Sequence, residues 1–291
     1  MALKELLKQM ADAYPKLSNA RILVSNDDGI HAPGLKLLER VARSLSDDVW
    51  VIAPEAEQSG ASHGLTLRRS LAVHKVGRRR YAVGGTPSDS VLMAVKHIMT
   101  DRKPDLVLSG VNRGANLGED IFYSGTVAAA REAALLGIRA IAFSQVRRGD
   151  LLPWKTAETF APEIIEKLYA AAWPRSVLMN VNFPPIAPSA VKGIRVAPQG
   201  RRVEHTHITT LKDPAGRDML WIGDFPTDDP EDPRTDLGAV MEDMVAVTPL
   251  HCDLTHGATL QKIAGLFPKS AAIAGQKEPS KTNRGRKRAR R

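Results

Sequence analysis

The chain lacks the features that mark several common protein classes. It holds one cysteine, Cys252, so no disulfide can form within it, and that composition accords with a reducing, cytoplasmic setting. No uninterrupted apolar run reaches the length of a membrane-spanning helix. Met1 to Lys16 alternate lysines with Leu3, Leu6, Leu7 and Met10. That is the spacing of a short amphipathic helix, without the continuous apolar stretch of a signal peptide. Histidines and cysteine do not cluster in a zinc-binding pattern. No Ser-His-Asp elbow or reactive cysteine setting supplies a protein nucleophile, and no internal repeat is visible.

Positive charge is abundant but unevenly placed. From Lys277 to Arg291 eight Lys or Arg stand against Glu278, a net of +7, so residues 1–276 carry only +2 of the total +9. The folded body is therefore nearly neutral. The tail has no apolar periodicity and is expected to be disordered over 268–291. Its charge suits nonspecific contact with RNA, DNA or acidic lipid.

Apolar strand-like runs alternate with amphipathic helical patterns through most of the chain. Strands are expected at Arg21–Ser25, Val49–Ala53, Asp105–Ser109, Arg139–Ser144 and Ser176–Val181, with one or two more between Leu65 and Val83. Helices are expected over Pro33–Ser44, Pro87–Met99, Thr126–Leu136 and Thr156–Ala171. This alternation predicts an α/β fold with a parallel sheet covered on both faces. After Phe183 prolines break the pattern. Short segments near Ile194–Ala197, His205–Leu211 and Met219–Ile222 then predict a protruding hairpin at about 190–225, suited to pairing with another subunit. Phe225–Arg234 reads as an acidic, proline-rich loop, and Met244–Pro249 as a returning strand. The organisation expected is an N-terminal helical extension (1–20), one α/β domain (21–260) and the basic tail.

The strand ends carry the chemistry. The first delivers Asn26, Asp27, Asp28 and Gly29; the second leads past Pro54 into Glu57, Gln58, Ser59 and Gly60. The strand ending at Ser109 runs into Gly110, Val111, Asn112, Arg113, Gly114, Ala115 and Asn116. In an open parallel sheet these carboxyl ends share one rim, where ligands bind. Two adjacent carboxylates at the end of a buried strand repel each other and are costly to desolvate without a cation. Asp27, Asp28, Ser59 and Asn112 together offer the all-oxygen set a hard cation such as magnesium takes.

Tyr123-Ser124-Gly125-Thr126 supplies a counterpart, immediately ahead of an alanine-rich helix. Hydroxyls and free amides at a helix start bind anions, and Ser124 or Thr126 also serves as a cap. Thr86, Pro87 and Asp89 read as plain N-terminal capping. A cation held by paired aspartates beside an anion site suggests phosphoester hydrolysis by an activated water, with Asp27 or Asp28 taking the proton. His31 lies close in sequence, but a turn histidine needs no role.

The strings ILVSNDDGIHAPG, VIAPEAEQSGAS, GGTPSDSV, LVLSGVNRGANLGEDIFYSGTVAAAREA and VAVTPLHCDLT, in that order between Arg21 and His256, resemble the successive signature blocks of the SurE family. The resemblance implies a Rossmann-like α/β/α fold with a C-terminal hairpin that builds homodimers or homotetramers. It implies a nucleotidase using one divalent metal ion per subunit, Mg2+ or Mn2+, to release phosphate from nucleoside 5'- and 3'-monophosphates, some members also trimming short polyphosphate. The implied metal ligands are Asp27, Asp28, Ser59 and Asn112, and the implied phosphate contacts are Asn116, Ser124, Gly125 and Thr126. Glu57 and Ser90 depart from the family pattern: the first stands where a basic residue is common, the second where a cysteine is frequent.

Three rivals are weaker. A phosphoacceptor receiver domain needs an aspartate ending a middle strand and a lysine ending a later one, where this chain has Ser109-Gly110 and Ser144-Gln145. A metal-dependent deacetylase needs histidine ligands that these strand ends do not supply. A nucleic-acid-binding protein would act through the basic tail alone.

Overall fold

A computed structural model describes residues 15–171, 173–203, 206–223 and 231–266. The expected N-terminal helical extension lies outside the described residues up to position 14. So do the basic tail and residues 224–230 of the acidic loop.

The chain divides into two units, Met1–Cys252 and Asp253–Arg291. The first contains strands β1 (Arg21–Ser25), β2 (Asp48–Pro54), β3 (Val73–Gly77), β4 (Arg80–Val83), β5 (Leu106–Arg113), β6 (Arg139–Gln145) and β7 (Val177–Phe183). It continues with β8 (Ile194–Val196), β9 (Ile208–Lys212), β10 (Asp218–Ile222) and β11 (Val245–His251). Its α-helices are α1 (Pro33–Leu45), α2 (Pro87–Met93), α3 (Gly125–Leu135), α4 (Trp154–Ala170) and α5 (Asp236–Met241). The second unit, described as far as residue 266, holds helix α6 (Gly257–Ala264).

Among the described residues nine strands form one sheet in the order β3-β4-β2-β1-β5-β6-β7-β11-β8. From β4 to β7 every pairing is parallel, while β3 and β11 join antiparallel. Strands buried on both faces read as continuous apolar runs, as in β1, whose five residues are all buried. Successive side chains of a strand point to opposite faces. Ile22, Val24, Leu106, Leu108, Ile141 and Phe143 thus join the core beneath α1 and α4. Leu23, Val107, Ala140 and Ala142 face the other core, beneath α2 and α3. The small side chains of α3 leave it buried over most of its circumference, the mark of a core helix.

Three of the differences between sequence and structure bear on how the sheet and its helices are built. The predicted helix Pro87–Met99 is α-helical to Met93 and then widens into a π-helical turn, Ala94–Ile98. The strand expected to stop at Ser109 continues to Arg113. Gly110 accounts for this: at φ +122 and with a Cβ position only 2.3 Å from the Phe143 carbonyl oxygen, only glycine fits comfortably. The ladder shifts register there and resumes at Asn112 opposite Ser144. Finally, Ile194–Val196 is not part of the hairpin but pairs with β11 at the sheet edge; the hairpin itself is β9 and β10.

Candidate active site

Chain order runs outward from β1 in both directions, through β2 on one side and β5 on the other. The crevice between β1 and β5 is the switch point where open α/β sheets bind ligands. A cavity of about 850 Å³ opens there, and Asp27, Asp28, Ser59, Asn112, Asn116 and Ser124 all line it.

Asn26 shapes the turn after β1 by donating from Nδ2 to the Gly29 carbonyl at 3.0 Å. Asp27 is buried, and Thr126 donates its hydroxyl to Asp27 Oδ1. Burial pushes the Asp27 carboxyl up to about 7; the Thr126 hydrogen bond opposes that rise and the neighbouring Asp28 charge adds to it. Asp28 is raised by burial and by the Glu57 carboxylate, with Arg113 acting the other way. Both groups resist carrying charge in the absence of a counter-ion, the condition a bound cation relieves.

The neutral donors are oriented to match. Asn112 donates from Nδ2 to the Gly114 carbonyl at 3.2 Å, which leaves Oδ1 as its acceptor for a cation. Ser59 donates its hydroxyl proton to Glu57 Oε1 at 2.7 Å, so its oxygen lone pairs stay available. Among the described residues no three His, Cys, Asp or Glu side chains converge as a metal cage. Two carboxylates completed by amide and hydroxyl oxygens suit magnesium or manganese, which retain waters and take ligands from the substrate.

Three of the four expected phosphate contacts lie at the start of α3. Ser124 is its N-cap, accepting from the Val127 amide at 3.0 Å. Gly125 abuts the aspartates: a Cβ there would sit 2.6 Å from Asp27 Cβ. Thr126 is fully buried with its hydroxyl committed to Asp27. Gly125 and Thr126 therefore stand behind the cavity wall, while Ser124 lines it. His31 is exposed and does not line the cavity.

Asn180 and Asn182, which hold Asn116, were not singled out in the sequence. Asn116 donates from Nδ2 to Ser144 Oγ at 2.7 Å, and its amide donates to Asn182 Oδ1 at 2.8 Å. Its carbonyl accepts from Asn180 Nδ2 at 2.7 Å and Asn182 Nδ2 at 3.1 Å. The signal was present in Met179-Asn180-Val181-Asn182, because two amides in a core strand must find partners. Glu57, Arg113, Asp120, Tyr123, Arg147 and Asp150 line the remaining cavity.

Comparison with known proteins agrees with this architecture. The family described as "Survival protein SurE" matches residues 22–206. A protein named 5'-nucleotidase SurE from Paramagnetospirillum magneticum is 53% identical over 251 residues, spanning 86% of this chain and 96% of the relative. One of the same name from Caulobacter vibrioides is 51% identical over 252 residues, spanning 85% and 96%. The crystal structure of the SurE protein from Aquifex aeolicus superposes with a TM-score of 0.74 at 39% identity, covering 84% of this chain and 98% of that one. With a family match over most of its length and relatives at half identity, this chain belongs to the SurE family.

Proposed function

We propose that this protein is a divalent-metal-dependent 5'-nucleotidase that hydrolyses nucleoside monophosphates to nucleoside and phosphate. One observation carries the reading: Thr126 bonds Asp27 directly, which sets the anion-binding start of α3 against the paired carboxylates at one end of the cavity. The names of the relatives point the same way. Asp27, Asp28, Ser59 and Asn112 would hold one Mg2+ or Mn2+ ion per subunit. When bound, such an ion polarises phosphoryl oxygens and makes a nucleophilic water available at neutral pH.

The chain's own groups do the rest. Thr126 holds Asp27 in place, and Asp28, which is less buried, receives the proton of the attacking water. Ser124 and the first-turn amides of α3 receive the phosphoryl group, with Gly125 and Thr126 setting their position. Asn116, pinned by three side chains, offers a pre-set polar contact. Tyr123, Arg147, Gly149 and Asp150 border the remaining space, which is ample for a nucleoside. The same site would hydrolyse 5'- and 3'-monophosphates, with short polyphosphate as a side activity.

No helix among the described residues is long and apolar enough to cross a membrane, and the single cysteine suits the cytoplasm. The hairpin exposes Ile208, Leu211, Met219, Leu220, Trp221 and Ile222, the surface expected to pair in a homodimer or homotetramer. Phosphate release from a panel of 5'- and 3'-nucleoside monophosphates, with Mg2+, with Mn2+ and with chelator, tests the function. Metal-dependent release supports it, and no release with either ion refutes it.

A further inference from the structure

Arg202 lies more than 80 residues from the turn Leu117–Asp120 in sequence, yet its side chain is 1% exposed and ion-paired to two carboxylates of that turn. Nη2 donates to Asp120 Oδ2 at 2.9 Å. Nη1 donates to the Leu117 carbonyl at 3.1 Å and to Glu119 Oε2 at 3.2 Å. The planar guanidinium thus grips both ends of the turn Leu117–Asp120, which a point-charge lysine would not do.

A third carboxylate ties the same turn from behind. Asp236, fully buried, accepts from the Gly118 amide at 3.0 Å and the Gly200 amide at 2.8 Å. Gln199 Nε2 adds a bond to the Gly118 carbonyl at 3.0 Å. Residues 199–202 therefore act as one clamp. Its far side reaches the anion site, because the Asp120 carbonyl accepts from both the Tyr123 and the Ser124 amides at 2.9 Å. Tyr123, Ser124 and Asp120 all line the cavity.

We infer that Arg202 is a positioning residue for the phosphoryl group, holding the turn from which Asp120 orients Tyr123 and the N-cap Ser124. The inference rests on the nucleotidase reading. Without Arg202, Asp120 and Asp236 lose the cation between them, and burial already raises both carboxyls, Asp120 to about 6. The turn then relaxes, and the cap moves with it. The metal end, carried on β5 and on the loops that follow β1 and β2, is left in place, so phosphate binding and metal binding should part company.

The test compares wild type with Arg202→Gln and Arg202→Lys in the full chain loaded with Mn2+. The readouts are steady-state hydrolysis of 5'-nucleoside monophosphates, calorimetric titration of inorganic phosphate, and Mn2+ affinity. In Arg202→Gln, KM and the phosphate Kd should each rise about tenfold while kcat changes less than about threefold. Mn2+ affinity should stay within about twofold of wild type, and Arg202→Lys should recover part of the loss. Unchanged KM and phosphate Kd in folded Arg202→Gln overturn the inference, as does a parallel loss of Mn2+ affinity. If that variant does not fold, Gln199→Ala removes one tie to the same turn. It should raise KM and phosphate Kd about two- to threefold, and no rise overturns the inference. Should wild type release no phosphate from any nucleotide, the functional reading fails by itself, and the phosphate titration still decides the clamp.

Discussion

Thr126 donates its hydroxyl to Asp27 across 99 residues of sequence, joining the start of α3 to the end of β1. That bond favours the charged carboxylate, the form that binds a cation. Thr126→Val should therefore weaken Mn2+ binding about tenfold near pH 6.5, and less near pH 8, where protons compete weakly. Thr126→Ser should remain close to wild type. Calorimetric Mn2+ titrations at the two pH values check this.

Asp27 should also make the stability of the metal-free protein depend on pH. Its carboxyl is raised to about 7 by burial, from about 4 in an unfolded chain. Between those values the folded state retains a proton that the unfolded state has released. The stabilisation is thus complete below about pH 4 and is lost as pH rises through about 7, on the order of 4 kcal/mol in all. The Tm of the apoprotein should fall between about pH 5 and pH 8, and saturating Mn2+ should flatten the profile. Asp27→Asn should remove most of the fall, leaving the part due to Asp28, Asp120 and Asp236, which burial also raises. Scanning calorimetry across that range decides.

Gly125→Ala isolates the close approach of helix and strand. Gly125 lies within a helix, so alanine meets no backbone penalty; the damage comes from a methyl 2.6 Å from Asp27 Cβ. Displacing Asp27 should lower kcat/KM about a hundredfold or more and weaken Mn2+ binding, since small misplacements of catalytic groups are costly. Measuring both in one preparation tests whether the two losses track each other.

The order of strands and helices was legible in the sequence because each core strand is a short apolar run and each helix keeps its period, as in β1 and α1. The three polar strand ends could be gathered on one rim for the same reason, and the cavity contains Asp27, Asp28, Ser59 and Asn112 together. What stayed hidden depends on contacts distant in sequence. Asn116 meets Asn182 across 66 residues, and Asp120 meets Arg202 across 82; no local pattern records such partners. The continuation of β5 past Ser109 was obscured by Gly110, which punctuates a strand in sequence but here only shifts its register. The hairpin was drawn too long because Ile194–Val196 has the composition of its neighbours, and only pairing with β11 separates it.

The most direct test sets wild type beside Asp28→Asn, measuring phosphate release from 5'-nucleoside monophosphates with Mg2+ or Mn2+ and Mn2+ stoichiometry by calorimetry. Wild type should bind one ion per subunit and release phosphate only with metal, and Asp28→Asn should lose at least about a thousandfold in rate. Hydrolysis by Asp28→Asn at the wild-type rate, or wild-type release that persists in chelator, would contradict the account.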